Sequence, residues 1–455
     1  MKILVRLSYL FIIWMFFHYA VTAQDNQQLV INKQWFREAK FGMFIHWGAY
    51  SKLGGVYRDS SIQNGAEWIQ LHARIPNKDY EKEVCKFNPV DANPEKWMEL
   101  AKQAGMKYIV FTTKHHDGFC MFTSRYTDYN VVDFTPYKKD VVKMVSDACK
   151  KYGLKLGLYY SIVDWHHREF PPVYSQLYNF HGNPNPKADM NKYADYQYNQ
   201  LKELMTNYGR VDFAWFDAGD GFKNANRFKL IKGDSIVKMI RKYQPGCLIN
   251  SRIGIDADYG NPEQIIPGAI QDQAFEVCMT MNNNWGYAIN DNHWKSSKDL
   301  IRKLIEIAHK GGNFLLSVGP DAEGNIPEPS VVCLKDMGKW LSINGESVYG
   351  TKNSLWDSPT WGYSTTRFLD NGNAVLYLHV INWPEDNVIR VPDLDNKLIK
   401  AFALTAKGKS DIKFTQNSKG TTLDLSGMTA DSVATVLGLE VIGQEFKFYK
   451  STPTP

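Results

Sequence analysis

The chain has 455 residues, enough for one large domain and a smaller one. A net charge of only +5, with no Lys/Arg-rich block, carries no electrostatic footprint for nucleic acid. Aromatic residues make up 14% of the chain, including 13 Trp and 25 Tyr; most belong to a core, and the excess of flat faces favours a carbohydrate ligand.

The N-terminus has the pattern of a secretory signal. Lys2 and Arg6 supply positive charge, Leu10 to Phe17 is wholly apolar, and Val21-Thr22-Ala23 offers small residues for cleavage before Gln24. Residues 1–23 are therefore expected to be a signal peptide, and the mature protein to be periplasmic or secreted. The apolar run is shorter than the ~20 residues of a membrane span, and no other stretch is long and apolar enough. The six cysteines (85, 120, 149, 247, 278, 333) lack CxxC spacing, and nothing in the sequence names a pair.

Taken in order, Phe41-Gly-Met-Phe-Ile-His46 reads as a short strand ending in a histidine. Asn93 can cap a helix that opens at Pro94 and stops at Gly105. The strand Tyr108 to Thr113 follows, ending in Lys114-His115-His116-Asp117. A helix over 139–152 stops at Gly153, and the strand Leu154 to Ser161 comes next. A longer helix over about 190–207 leads to Val211 to Asp217, and a helix over 233–243 leads to Cys247-Leu-Ile-Asn250. One or two further strands fit within 255–290. The helix 298–310 then precedes the strand Asn313 to Val318. This alternation calls for a parallel sheet with right-handed crossovers, and no glycine-rich phosphate loop follows the first strand. The expected fold is α/β: a (β/α)8-like barrel over 24–350. After Gly350 short alternating segments and the turn Asp370-Asn371-Gly372 replace helices, so 351–455 is expected to be an antiparallel β-sandwich.

A barrel gathers the carboxyl ends of its strands at one mouth, where catalysis takes place. Asp217 closes a strand there, in position for a carboxylate nucleophile; an Asx-turn is the equal alternative, and Asp220 is a nearby competitor between glycines. His115 and His116 suit sugar hydroxyls better than a metal, because ligands on one strand face would need a residue between them. Neither metal nor cofactor is called for. Glu67-Trp68, in a loop entered at Gly65, pairs an acid with an aromatic. Arg252 ends another strand, where it would hold a carboxylate ionised or form a structural ion pair. A general acid needs a carboxyl kept protonated near neutrality. Glu276, between Phe275 and Val277, is preferred for its apolar neighbours, and Glu263, in a Gly/Pro loop, is the rival.

Together these segments resemble glycoside hydrolase family 29, the α-L-fucosidases. The resemblance spans Trp35 to about Gly350. It rests on Trp35-Phe-Arg-Glu-Ala-Lys-Phe-Gly-Met-Phe-Ile-His-Trp-Gly48, Lys114-His-His-Asp-Gly-Phe119 with Tyr126-Thr-Asp-Tyr129, and Leu158-Tyr-Tyr-Ser161. It continues through Trp215-Phe-Asp217, Trp285-Gly-Tyr287 and Gly311-Gly-Asn-Phe-Leu-Leu-Ser-Val-Gly-Pro320. It implies a retaining exo-α-L-fucosidase acting on fucosylated glycans, with Asp217 as nucleophile. It also implies a fucose pocket of His46, Glu67, Trp68, His115, His116, Tyr159, Trp215 and Arg252, with Trp285 near the sugar methyl. Glu67-Trp68 points to the branch that tolerates simple aryl fucosides, and the run from Glu276 into Trp285 resembles the acid-bearing segment of several members. Ala218 stands where the family often has glycine. A galactoside-type glycosidase and a binding-only protein are the competing readings.

Overall fold

The computed structural model describes residues 27–171, 185–217, 225–392, 394–417 and 420–446. The signal-peptide expectation, Ala218-Gly219 and Asp220 lie outside them.

Seven parallel strands form one curled sheet: β1 (Phe41–Ile45), β2 (Tyr108–Lys114), β3 (Lys155–Ser161), β4 (Phe213–Asp217), β5 (Leu248–Ile249), β6 (Glu276–Thr280) and β7 (Asn313–Val318). Their spatial order is β5-β4-β3-β2-β1-β7-β6. The register aligns Ser161 with Asp217 and Ile45 with Val318, so the polar ends of the strands come level at one mouth.

The edges β5 and β6 do not pair directly. The segment Tyr259 to Gln264 crosses between them. Asp258 N–H bonds Ile249 O (2.9 Å) and Ser251 N–H bonds Tyr259 O (3.0 Å) on one side. Glu276 N–H bonds Gly260 O (2.8 Å) and Gln264 N–H bonds Cys278 O (2.9 Å) on the other. This is an eighth, irregular strand that closes the ring. Gly260 and Pro262 keep it irregular, since proline has no N–H to give a ladder and glycine has no side chain to pack. The space left within 255–290 thus holds two strands, one regular and one not.

Sequence capping signals account for the crossovers. Asn93 accepts Glu95 N–H ahead of Pro94–Gln103, Asp140 accepts Lys143 N–H ahead of Val141–Tyr152, and Ser296 accepts Asp299 N–H ahead of Ser297–His309. The left-handed Gly153 (φ 66°) ends the second of these helices. Val141, Val142, Val145, Ala148 and Cys149 form its buried face. Inside the ring, Phe44, Tyr108, Val110, Tyr159, Phe213, Trp215 and Leu248 make a separate core. Phe36 and Trp35, from the helix 27–39, join it, with Phe36 4.7 Å from Tyr259 and Trp35 6.2 Å from Tyr108 between ring centroids.

Beyond the barrel lie a five-stranded and a three-stranded antiparallel sheet. Leu376, Leu378, Leu437 and Leu439 of the first pack on Ile389, Val391 and Leu423 of the second. The opposite face of the larger sheet presents Val375, Tyr377 and Val436 to the main core. His309, at the end of Ser297–His309, accepts Ser364 N–H at Nδ1 and bonds Asp357 O from Nε2, both at 3.1 Å, joining the two parts. All six cysteines are free, five of them buried.

Candidate active site

A cavity of about 970 Å³ opens at the strand ends. His46 follows β1, with Phe44 two residues earlier lining the same wall. His115 and His116 follow β2, Tyr159 belongs to β3, and Trp215 and Asp217 to β4. Arg252 comes from the turn Ser251–Ile253 after β5. Glu67 and Trp68 form a short turn entered at Gly65, whose φ of 77° suits glycine. Trp285 closes the ring of residues, its centroid 5.0 Å from that of His46. Every pocket residue expected from the sequence lines this cavity.

Asp217 is held from both sides. Arg252 Nη1 donates to Oδ1 (3.1 Å), Tyr159 Oη donates to Oδ2 (2.9 Å), and His116 Nε2 lies 3.6 Å from Oδ2. Burial pushes this carboxyl up, but the Arg252 guanidinium and the Tyr159 hydroxyl pull harder the other way and leave it below its usual value of 3.8. It is an ionised carboxylate with both oxygens oriented by neighbours.

The histidines are neutral. Burial lowers His46 from 6.5 to about 3, and lowers His115 and His116 as well. Ser161 Oγ donates to Val163 O (2.6 Å), so it accepts from His116 Nδ1–H, also at 2.6 Å. Ser317 Oγ donates to Trp285 O (3.4 Å) and accepts from His46 Nδ1–H (2.9 Å). Each imidazole then carries its lone pair on Nε2, ready to accept a sugar hydroxyl. The folded state binds the His46 proton only near pH 3, whereas the unfolded chain binds it near 6.5. Stability from neutral His46 is therefore complete above 6.5 and is lost as pH falls toward 3. We expect the cost of His46→Asn, measured as a shift in urea midpoint, to shrink across that window; a pH-independent cost would refute the assignment.

Glu67 is fixed by its surroundings: Gly286 N–H donates to its Oε2 (3.1 Å), and Ala66 N–H donates to Asn284 Oδ1 (2.8 Å). A Cβ on Gly286 would meet Tyr50 Cε2 at 2.8 Å and Glu67 Cβ at 3.1 Å, so only glycine allows this approach. Trp68 packs edge-on against His116 at 5.0 Å.

The two acid candidates part company. Glu263, at the end of the irregular strand, lines the cavity and accepts from Arg252 Nη2 (2.6 Å), so both carboxyls flank one guanidinium. Glu276 does not line it. It opens β6 and is fully buried, with Oε1 accepting Trp215 Nε1–H (2.8 Å) and Asn261 Nδ2–H (3.1 Å), and Oε2 accepting Tyr108 Oη–H (2.6 Å). Burial does push its carboxyl up to about 7, as its apolar neighbours suggest.

Sequence reading missed a support behind the histidines. Lys114 Nζ pairs with Asp164 Oδ2 (2.8 Å), both buried, and lies over the Tyr160 ring at 4.4 Å. Asp164 Oδ1 accepts His166 and His167 N–H, and Trp165 N–H bonds His116 O (2.7 Å). An aspartate three residues beyond β3 was the available signal. Lys114→Met should destabilise by roughly 3–5 kcal/mol through the orphaned buried carboxylate. Lys114→Met with Asp164→Asn, which keeps the backbone acceptor, should recover much of that in urea unfolding. Among the described residues no group of three or more His, Cys, Asp and Glu is arranged to hold a metal ion.

The family model described as alpha-L-fucosidase matches residues 17–346. The chain belongs to the α-L-fucosidase family. An α-L-fucosidase of Dictyostelium discoideum is 30% identical over 409 residues, covering 83% of this chain and 84% of its own. The structure of α-L-fucosidase isoenzyme 1 from Paenibacillus thiaminolyticus is 35% identical and superposes with a TM-score of 0.81 over 91% of this chain and 99% of its own. A family 29 α-L-fucosidase from Bacteroides thetaiotaomicron, solved as a trapped covalent intermediate with 2-fluoro-fucosyl fluoride, is 27% identical with a TM-score of 0.79 over 90% and 95% of the two chains. The α-L-fucosidase architecture of a curled parallel sheet followed by antiparallel sheets is thus the one found here. No described helix of this family member is long and apolar enough to cross a membrane.

Proposed function

We propose that the protein is a retaining exo-α-L-fucosidase that releases terminal fucose from glycans or glycoconjugates. The observation that carries this reading is Asp217, an ionised carboxylate at a strand end, sharing Arg252 with the cavity-lining Glu263. Asp217 attacks the anomeric carbon and forms a covalent β-fucosyl enzyme while Glu263 protonates the leaving oxygen. Glu263 then takes the proton of the attacking water, and α-fucose leaves. Acid and base work goes to Glu263 in this reading because Glu276 has no open path to a sugar and all its bonds are already made.

Fucose asks for acceptors and donors at three hydroxyls and an apolar wall at one methyl. Neutral His46 and His116, the Glu67 carboxyl and Arg252 serve the first need; Phe44, Trp68 and Trp285 serve the second. The matching L-galactoside, with a hydroxymethyl group in place of the methyl, would leave its extra oxygen unpaired against the apolar wall. Two further parts of the reading follow from sequence: residues 1–23 direct export, and 24–350 form the catalytic part with 351–455 as an accessory.

Proton NMR of early hydrolysis of an aryl α-L-fucoside tests the mechanism. α-Fucose should appear first, followed by mutarotation; initial release of the β-anomer would refute double displacement. Faster cleavage of the matched aryl galactoside would refute the substrate.

A further inference from the structure

Glu276 remains unused by this mechanism, yet it stands at the centre of the barrel with an unusual set of partners. Trp215 Nε1 and Asn261 Nδ2 both donate to its Oε1, and Tyr108 Oη to its Oε2. Trp215 lies two residues before Asp217 on β4, with its ring stacked on Tyr159 (5.5 Å) and under the Arg252 guanidinium (4.9 Å). Asn261 lies two residues before Glu263 on the irregular strand. One carboxylate oxygen therefore joins the strand bearing the nucleophile to the strand bearing the acid.

We propose that Glu276 is a positioning residue that fixes the Trp215 floor and the Glu263-bearing segment against each other. The need is physical. Among the described residues the Tyr259 to Gln264 segment keeps main-chain bonds to β6 as far as Gln264, but on the β5 side they stop at Tyr259. Its far end is therefore laddered on one flank only, and the Asn261 bond to Glu276 adds a side-chain tie beside the acid. Trp215, being aromatic and inward-facing, would otherwise bury an unpaired indole N–H. The inference rests on the proposed hydrolase reading only for its kinetic readout.

The pair Glu276→Gln and Glu276→Met decides it. In Glu276→Gln the amide oxygen can keep both the Trp215 and Asn261 bonds, while the amide nitrogen donates to a reversed Tyr108 hydroxyl. This variant should stay within about threefold of the parent in kcat/KM on both activated and unactivated fucosides. Glu276→Met fills the volume but accepts nothing; kcat should fall on the order of 100-fold for both substrates alike, as expected for misplaced groups rather than a lost proton. The indole N–H resonance of Trp215, assigned through Trp215→Phe, should hold its position in Glu276→Gln and move upfield in Glu276→Met. Asn261→Leu, which leaves Glu276 in place, should slow unactivated substrates while fucose inhibits as before, and it serves if Glu276→Met does not fold. A Glu276→Gln variant that fails only on unactivated substrates would make Glu276 the proton donor and overturn the proposal. So would a Glu276→Met variant with full turnover and only a lower melting temperature. If the parent cleaves no fucoside at all, the hydrolase reading falls, and the indole resonance still decides the anchor.

Discussion

Asp217→Asn should lower turnover on an aryl fucoside by at least about 10⁴-fold while fucose still binds. The amide is nearly isosteric, and Tyr159 and Arg252 remain to hold it, so the pocket keeps its shape while the attacking charge disappears. Arg252 loses its anionic partner at Nη1 but keeps Glu263 at Nη2, so the guanidinium stays in place. The complementary measurement uses the parent: 2-fluoro-fucosyl fluoride should label one peptide, and mass spectrometry should place the adduct on Asp217. Labelling of Asp220, or an active Asp217→Asn, would move the nucleophile.

Glu263→Ala should divide substrates by leaving group. Natural fucosides, which need a proton on departure, should lose roughly 10²–10⁴-fold, whereas a dinitrophenyl fucoside should lose little in the first step. Its covalent intermediate should then accumulate, because the base that activates water is also missing. Azide needs no such base, so added azide should restore turnover and give α-fucosyl azide. The same pattern in Glu276→Ala and not in Glu263→Ala would return the acid role to Glu276. The guanidinium of Arg252 bonds both Asp217 and Glu263 and so fixes one against the other, and Arg252→Leu is expected to impair both steps.

How far the sequence carried depended on which residues report on layer and which only on strand. Strand ends were legible wherever an apolar run broke into polar residues, as at His46, His115, Ser161 and Asp217, because buried parallel strands have no polar positions until they reach the mouth. The helices over 190–207 and 233–243 were legible from their glycine and proline stops. Glu276 stands away from the cavity for a definite reason. Its apolar neighbours do raise its carboxyl, but it starts β6 instead of ending it, which sets the side chain a layer below the mouth. Glu263 was obscured by its setting, since Gly260, Asn261 and Pro262 look like solvated loop. Only the bonds to Ile249 on one side and Cys278 on the other reveal that this stretch belongs to the ring. Asp164 was visible as a polar residue just beyond β3, but its pairing with Lys114 was not, because no local pattern links residues fifty positions apart.

The irregular closing strand gives the two carboxyls different mechanical footing. Asp217 rides on a strand bonded to a neighbour on each flank, whereas Glu263 rides on the stitch that draws the ring shut. A stitch can be lengthened, shortened or retensioned without recutting the cloth. Changes in length between Gly254 and Ala274 should therefore retune which leaving groups are accepted, while recognition of the departing sugar, built on the seven regular strands and the Glu67 turn, stays as it is.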